Sequence, residues 1–296
     1  MWTVCILLFV YFLASPTPAR ESVKSALSLC AYALIPALFP TAVTVNIINS
    51  SGLSDMIAYT FGRPLSKALS IKREAVSAVI MSFAGGFPIG AICTRRLYSE
   101  GLLTKSEAER LLTFTGVASP AFCIGVIGNS LYGDVGFGIR MYIYQASAAL
   151  LTAVATGKCR NDDKISAPRL CRSSLSEVLT AAVTEGGLTM LKVCSFTVFF
   201  AVIGDAVCSI AGHYSGNVVS ALCASLCELT LASKRCALIG GRLGKALCGF
   251  AVGFSGLSVH MQTASVMSGS GVCLTKYHIS KVLQGAFSAA AAALLG

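Results

Sequence analysis

The stretch Ser82 to Ala91, which reads Ser-Phe-Ala-Gly-Gly-Phe-Pro-Ile-Gly-Ala, interrupts an uncharged and mostly apolar segment that runs from Ala75 to Thr94. A second apolar segment, Ala246 to Val266, is interrupted at its middle by Gly253 to Gln262, Gly-Phe-Ser-Gly-Leu-Ser-Val-His-Met-Gln. A glycine in a helix interior costs about 1 kcal/mol relative to alanine, and a proline costs about 3 kcal/mol. Neither segment is therefore expected to run as one continuous helix facing lipid.

Irregular backbone at membrane depth is tolerated only where it faces protein or a water-filled cavity, because lipid offers no hydrogen-bond partners. For a single break, a packing kink is the simpler interpretation, since glycine and proline are common in membrane helices. Two breaks at corresponding places in the two halves instead favour the binding site of a transporter. We therefore expect a re-entrant or broken helical hairpin in each half.

The composition predicts an all-α polytopic membrane protein. The chain is 55% hydrophobic and 12% charged, whereas soluble domains carry about 25% charged residues. Its mean hydropathy is +0.74. Several windows have the roughly 20 residues that a bilayer core demands. They are Leu27 to Ile48, Leu111 to Tyr132, Ile139 to Thr156, Leu191 to Ala211 and Ile279 to Leu295, with a shorter first run, Trp2 to Ala14.

The chain is predicted to form a single membrane domain, residues 1–296, with two pseudo-repeats. The first repeat is expected over residues 27–156 and the second over residues 178–295. Between them lies the clearest change of composition, a polar linker at residues 157–174 that is rich in basic and acidic side chains.

The net charge of +10 does not indicate nucleic-acid binding, because the basic residues lie in short loops and no aromatic residues alternate with them to stack bases. Positive-inside topology explains them instead. If the clusters before and after Ala75 to Thr94 are both cytoplasmic, that segment enters and leaves on one side. In the second half the basic residues precede the break, which favours a cytoplasmic mouth for the second hairpin. An inverted repeat would instead place that mouth outside, so the sequence does not decide its side.

Thirteen cysteines are scattered through the apolar runs without zinc-ligand spacing, which favours packing roles. No metal site and no cofactor are predicted. The sequence also lacks a phosphate-binding loop and hydrolase motifs, so neither an enzyme nor an ATP-driven pump is expected.

Glu228 lies in the apolar stretch Ala221 to Ala232. A charge at the bilayer centre costs about 2.5 to 3.5 kcal/mol, and such residues are by default functional. The alternative is an interfacial helix with Glu228 among the headgroups, supported by Lys234 and Arg235 close behind.

Four separated motifs carry a family resemblance. They are Leu38-Phe39-Pro40, Gly85 to Ala91, Gly101 to Leu112 and Gly256 to Gln262. In this order they resemble the YlbJ-type (SpoVV) sporulation integral membrane proteins, which carry the nucleoside-recognition Gate domain. Glu228-Leu229-Thr230 also resembles a Glu-Ile/Met-Thr segment of that family.

The resemblance implies two inverted repeats similar to those of concentrative nucleoside transporters, with hairpin tips that meet near the membrane midplane. It implies dipicolinic acid as cargo, and a bacterial inner membrane or the outer forespore membrane as location. Relatives of the nucleoside-transporter type also suggest a homo-oligomer.

A small dianionic carboxylate suits half-helix N-termini, which attract anions. The N-termini at Gly86 to Gly90 and Ser255 to Ser258 are each predicted to receive one carboxylate. Glu228 would repel such a cargo, so we expect it, with Thr230, to couple transport to a cation, Na⁺ or H⁺. His260 is expected to orient the hairpin backbone or to touch substrate. The predicted substrate-binding residues are Ser82, Gly85, Gly86, Phe87, Pro88, Gly90, Ser119, Ser255, Gly256, Ser258 and Gln262.

The chain departs from the family pattern at Phe114 to Pro120, where the family's paired asparagines are absent from residues 116–118. Other functions therefore remain open. The favoured function is secondary transport of a small carboxylate. The alternatives are a nucleoside transporter, a non-transporting membrane assembly or sensor protein that keeps the Gate fold, and, last, a membrane enzyme.

Overall fold

The computed structural model describes residues 2–157 and 174–296, and every regular element in those ranges is a helix. The first half contains α1 Trp2–Ala14, α2 Pro16–Leu29, α3 Ile35–Ser50, α4 Leu53–Leu69, α5 Ala75–Gly85, α6 Ile89–Ser99, α7 Lys105–Thr115, the π-helix Ala121–Tyr132 and α8 Val135–Ala155. The second half contains α9 Leu175–Cys227, α10 Leu229–Ile239, α11 Gly241–Phe254, α12 Gly256–Met267 and α13 Thr275–Leu295. The all-α prediction is confirmed. Apart from its two end residues, the predicted linker 157–174 lies outside the described residues.

Two helical rods, Pro16–Ser50 and Leu175–Ser209, are 35 residues long each and apolar enough to cross a membrane. The first rod consists of α2 and α3, joined by a π-helical turn at Cys30–Leu34. Helices α8 and α13, with 21 residues each, also have the length that a bilayer core of about 30 Å requires.

The predicted window Leu111 to Tyr132 is wrong as a single helix. Helix α7 ends at Thr115, and residues 116–119 are not helical before the π-helix begins. Proline lacks an N–H and disfavours the helical conformation of the residue before it, so Pro120 leaves the Gly116 carbonyl without a helical donor and keeps Ser119 out of the helix. Helix α7 and the π-helix are therefore the two parts of one broken helix.

Helix α9 is not one straight rod. The Sγ atom of Cys208 donates to the Ser220 carbonyl oxygen at 3.0 Å. Twelve residues of straight helix would separate these residues by about 18 Å. Arg235 of α10 in turn donates to Ser220 Oγ at 2.8 Å and to Asp205 at 2.9 Å. The segment Asn217–Cys227 thus packs beside the first part of α9 and forms a hairpin with α10.

The second hairpin is therefore not where the sequence predicts it. Helices α5 and α6 pack against each other across the first break, as expected. At the second predicted break, α11 instead lies along α13, whereas α12 lies against α9 and α6. A Cβ at Gly253 would lie 2.7 Å from the Gln284 carbonyl carbon, so this glycine allows α11 to approach the α13 backbone closely. Gly253, which we interpreted as part of a hairpin signal, serves helix packing.

The elements occur in the same order in both halves. A hairpin comes first (α5 with α6; Asn217–Cys227 with α10), then a broken helix (α7 with the π-helix; α11 with α12), and then a helix of 21 residues (α8; α13). The predicted repeat boundaries and the inverted relation of the repeats stay predictions.

Candidate functional site

The tip of the first hairpin lies against the break that follows it in the chain. Gly86 has φ 77° and ψ −160°, a region that is essentially restricted to glycine. A Cβ on Gly86 would lie 2.5 Å from the Ser119 amide nitrogen, and one on Gly90 would contact the Thr115 carbonyl oxygen. The Ser82 hydroxyl donates to this same Thr115 carbonyl. The tip is thus fastened to the end of α7 and to the unwound residues after it.

The tip of the second hairpin is Glu228, which is 3% exposed. Its Oε2 accepts the backbone N–H groups of Thr230 and Leu231, each at 2.7 Å, and its Oε1 accepts the Thr230 hydroxyl at 3.3 Å. The carboxylate therefore caps the N-terminus of α10. A Cβ on Gly256 would lie 3.2 Å from the Glu228 Cα, so this tip also abuts the broken helix of its own half.

A small cavity of about 40 Å³ lies where the two tips and the two breaks meet. We call it the central cavity. Five of the predicted residues line it: Phe87, Ser119, Glu228, Thr230 and Gln262. Its remaining wall is mostly apolar and includes Leu34, Leu38, Phe122, Val193, Leu229 and Val259. A hydroxyl can accept and donate at once, so Ser119 Oγ, which accepts the Phe122 N–H at 3.1 Å, keeps its own proton for a further acceptor.

A larger cavity of about 230 Å³ adjoins the central one, and we call it the charged cavity. Val193 and Gln262 line both cavities. The lining of the charged cavity includes Pro88 from the first hairpin, the cations of Arg95 and Lys192, and the carboxylate of Glu185. Gln262 thus stands between a polar, partly cationic space and the central cavity.

Several predicted binding residues act on the backbone of the breaks and lie off the central cavity. The Ser255 hydroxyl donates to the Val252 carbonyl at 3.1 Å, which satisfies one orphan carbonyl at the end of α11. The Ser258 hydroxyl accepts the Gln262 amide at 3.3 Å and so orients that side chain. Gly85 packs on Ile89 within its own hairpin.

His260 bridges the break between α11 and α12. Its Nε2 donates to the Phe254 carbonyl oxygen at 2.9 Å, and its Nδ1 lies 2.9 Å from Nδ1 of His278. With Nε2 donating, the neutral ring accepts at Nδ1, so His278 supplies the proton there. This geometry orients the backbone after Phe254, and it places His260 outside the lining of both cavities.

The sequence reasoning missed two polar residues of α13, Lys281 and Gln284. Both are buried, with exposures of 0% and 1%. A lysine between the apolar residues of a predicted membrane helix is a signal of the same kind as Glu228. The predicted membrane window Ile279 to Leu295 contains Lys281, so its charge could have been noticed from the sequence. In the described part of the chain, no group of three or more His, Cys, Asp or Glu residues could hold a metal ion.

The membrane-length rods, the interrupted helices and the buried polar residues at their breaks are consistent with an all-helical integral membrane protein. The chain is 26% identical, over 343 aligned positions, to the sporulation integral membrane protein YlbJ of Bacillus subtilis (strain 168). The alignment covers 99% of this chain and 82% of that relative, and it confirms the predicted resemblance to YlbJ-type proteins. The Gate domain stays a prediction. No family model and no solved structure matches the chain.

Proposed function

We propose that this protein is a secondary transporter of a small anionic solute, with dipicolinic acid as the first candidate. The observation that carries the proposal is the central cavity, where residues of both hairpin tips and both breaks converge. Irregular backbone at membrane depth is otherwise costly, so its concentration around one cavity favours a solute site. The predicted inverted repeats would let the two hairpins open alternately to the two sides.

The charged cavity supports an anionic cargo. Arg95 and Lys192 supply two cations to its lining, against one carboxylate from Glu185. Basic side chains in a cleft with low-dielectric walls raise the local concentration of anions. A dicarboxylate would gather there and then pass Gln262 toward the central cavity.

Passage requires a conformational change. A volume of about 40 Å³ has room for only a few water molecules, since each needs about 10 to 15 Å³ on the same measure. A pyridine dicarboxylate is several times larger. The first hairpin carries Phe87 in the wall of the central cavity, so movement of its tip away from Gln262 would enlarge the cavity.

Glu228 is proposed to couple this movement to a cation. Its oxygens already accept two backbone N–H groups of α10, so the α10 N-terminus is not free to receive the cargo carboxylate. Protonation, or a bound cation, would offset its repulsion of an anion. We expect Glu228→Gln to retain the fold and cargo binding, because the glutamine carbonyl oxygen in the place of Oε2 can still accept both capping N–H groups. The variant should lose transport, because its neutral amide neither takes up a proton nor attracts a cation.

The test is thermal-shift binding of the detergent-purified chain with dipicolinate, other dicarboxylates and nucleosides, with and without sodium and at two pH values. A ligand that binds only the native state raises its apparent stability. We expect a shift with dipicolinate that Ser119→Ala reduces and Ser288→Ala preserves. Among the described residues the buried Ser288 hydroxyl has no hydrogen-bond partner, and it lines neither cavity.

A shift with nucleosides alone would move the assignment to nucleoside transport. No shift with any ligand, in a sample that unfolds cooperatively, would refute the proposal in favour of the assembly or sensor role. Uptake into proteoliposomes by wild type and Glu228→Gln then tests the coupling role, which unchanged uptake by the variant contradicts.

A further inference from the structure

Lys281 is a fully buried lysine at the break of the first broken helix. Its Nζ donates to the Gly116 carbonyl oxygen and to Gln284 Oε1, the latter at 3.0 Å. Gln284 Nε2 in turn donates to the Thr113 carbonyl at 2.7 Å. Through these contacts α13 holds both the last turn of α7 and the first unwound residue after it.

The break requires a strong donor at this place. Unwinding after Thr115 leaves carbonyl groups without the N–H partners of the next helical turn, and lipid cannot replace those partners. A side-chain ammonium supplies both the hydrogen bonds and a positive charge against the negative end of α7. Gly116 leaves the space that this needs, because a Cβ there would lie 3.1 Å from the Lys281 Cε.

The surroundings of the ammonium group are oxygens and aromatic faces. Its Nζ lies 5.2 Å from the centre of the Phe87 ring and 6.0 Å from that of Tyr277. Among the described residues, the ion pairs within 4.0 Å do not include Lys281. Oxygen atoms are also the ligands that hard metal cations prefer, and aromatic faces attract cations.

The site is linked to the central cavity by Phe87. The Lys281 ammonium lies over the Phe87 ring, and the same ring lines the central cavity. Because Phe87 belongs to the tip of the first hairpin, the cation fixes the position of the part that must move for passage.

We propose that Lys281 is a tethered cation that takes the place of a bound alkali cation at the break between α7 and the π-helix. The protein therefore needs no sodium ion at this site to hold the first hairpin tip against the break. It follows that transport would not require sodium bound at this site, and this consequence rests on the proposed function. The assignment of Lys281 as the cation does not rest on the proposed function.

The test removes the tethered cation and supplies a free one. Lys281→Ala deletes a propylammonium group, so we expect the variant to unfold several °C below wild type. Added n-propylammonium should recover at least half of that loss in a concentration-dependent way, and n-propanol, which has a similar shape without the charge, should not. Lys281→Met, which fills the space with an apolar chain, should be destabilised without rescue.

Two results would overturn the inference: equal rescue by n-propanol and n-propylammonium, or wild-type stability of Lys281→Ala. If Lys281→Ala does not fold, Glu228→Gln decides, because this variant lacks the carboxylate proposed to bind a coupling cation. At constant ionic strength its unfolding temperature should be the same in sodium, potassium and choline chloride, and a sodium-specific stabilisation would contradict a built-in cation. None of these measurements uses a transported solute. If the thermal-shift test with dipicolinate, other dicarboxylates and nucleosides shows no binding, the transport proposal is refuted and this inference is unaffected.

Discussion

Replacement of Gly86 by alanine tests how tightly the first hairpin tip is joined to the break beside it. The backbone region that Gly86 occupies costs other residues about 1 to 3 kcal/mol. The new Cβ would also lie 2.5 Å from the Ser119 nitrogen and 2.7 Å from its Cβ. Because these are backbone and near-backbone atoms, the tip or the break must shift, which adds about 1 to 3 kcal/mol. The expected loss is about 2 to 6 kcal/mol of unfolding free energy.

The assay is unfolding in detergent, followed with a thiol-reactive dye that labels cysteines as they become exposed. Buried thiols such as Cys93, Cys123 and Cys248 provide the signal. Gly101→Ala is the matched control. Gly101 has φ 73°, but no atom lies within 4 Å of a Cβ built there. Alanine there should cost only the backbone penalty of about 1 to 2 kcal/mol. If both variants lose the same stability, the close contact between tip and break does not exist as described.

Three further predictions concern the packing around the site. Gly256→Ala should destabilise the chain by about 1 to 3 kcal/mol more than Gly241→Ala, because both residues have positive φ but only Gly256 touches the second hairpin tip. Equal losses of stability in chemical unfolding would contradict this contact. Arg110→Met should lower the free energy of unfolding by about 3 kcal/mol, because the buried guanidinium donates to three carbonyls at the ends of α4 and α8. A loss under 1 kcal/mol in the same assay would refute that role. Asp205→Asn and Arg235→Gln should show a coupling of about 1 kcal/mol in a double-mutant cycle, since their side chains pair at 2.9 Å; additive losses would mean that the pair is not formed.

The sequence predicted the membrane class, the α1 bounds and five residues of the central cavity. Hydrophobic length and the cost of glycine and proline in helices depend on local chemistry, so they can be read from a single chain. Glu228 was found for the same reason, because its charge is unusual in its own segment.

The pairing of the breaks could not be read in this way. Gly253 and Gly86 give the same local signal, although one glycine serves close packing of α11 on α13 and the other forms a hairpin tip. The true second tip is Glu228, whose segment contains no glycine or proline to mark a turn. Its turn is specified by the capping hydrogen bonds of the carboxylate and by the contact of Arg235 with Asp205 in the first part of α9, which exist only in the folded chain.

The two 35-residue rods relate this protein to the thickness of its bilayer. At 1.5 Å per residue each rod is about 52 Å long, and even at a tilt of about 40° it spans about 40 Å along the membrane normal. The hydrocarbon layer is only about 30 Å thick, so about 10 Å of each rod extends among the headgroups or beyond. The start of α2, with Arg20, Glu21 and Lys24, is suited to that wet position. A thicker bilayer would draw both rods upright. Because these rods carry Leu38 and Val193 in the wall of the central cavity, lipid chain length would then alter the shape of that cavity.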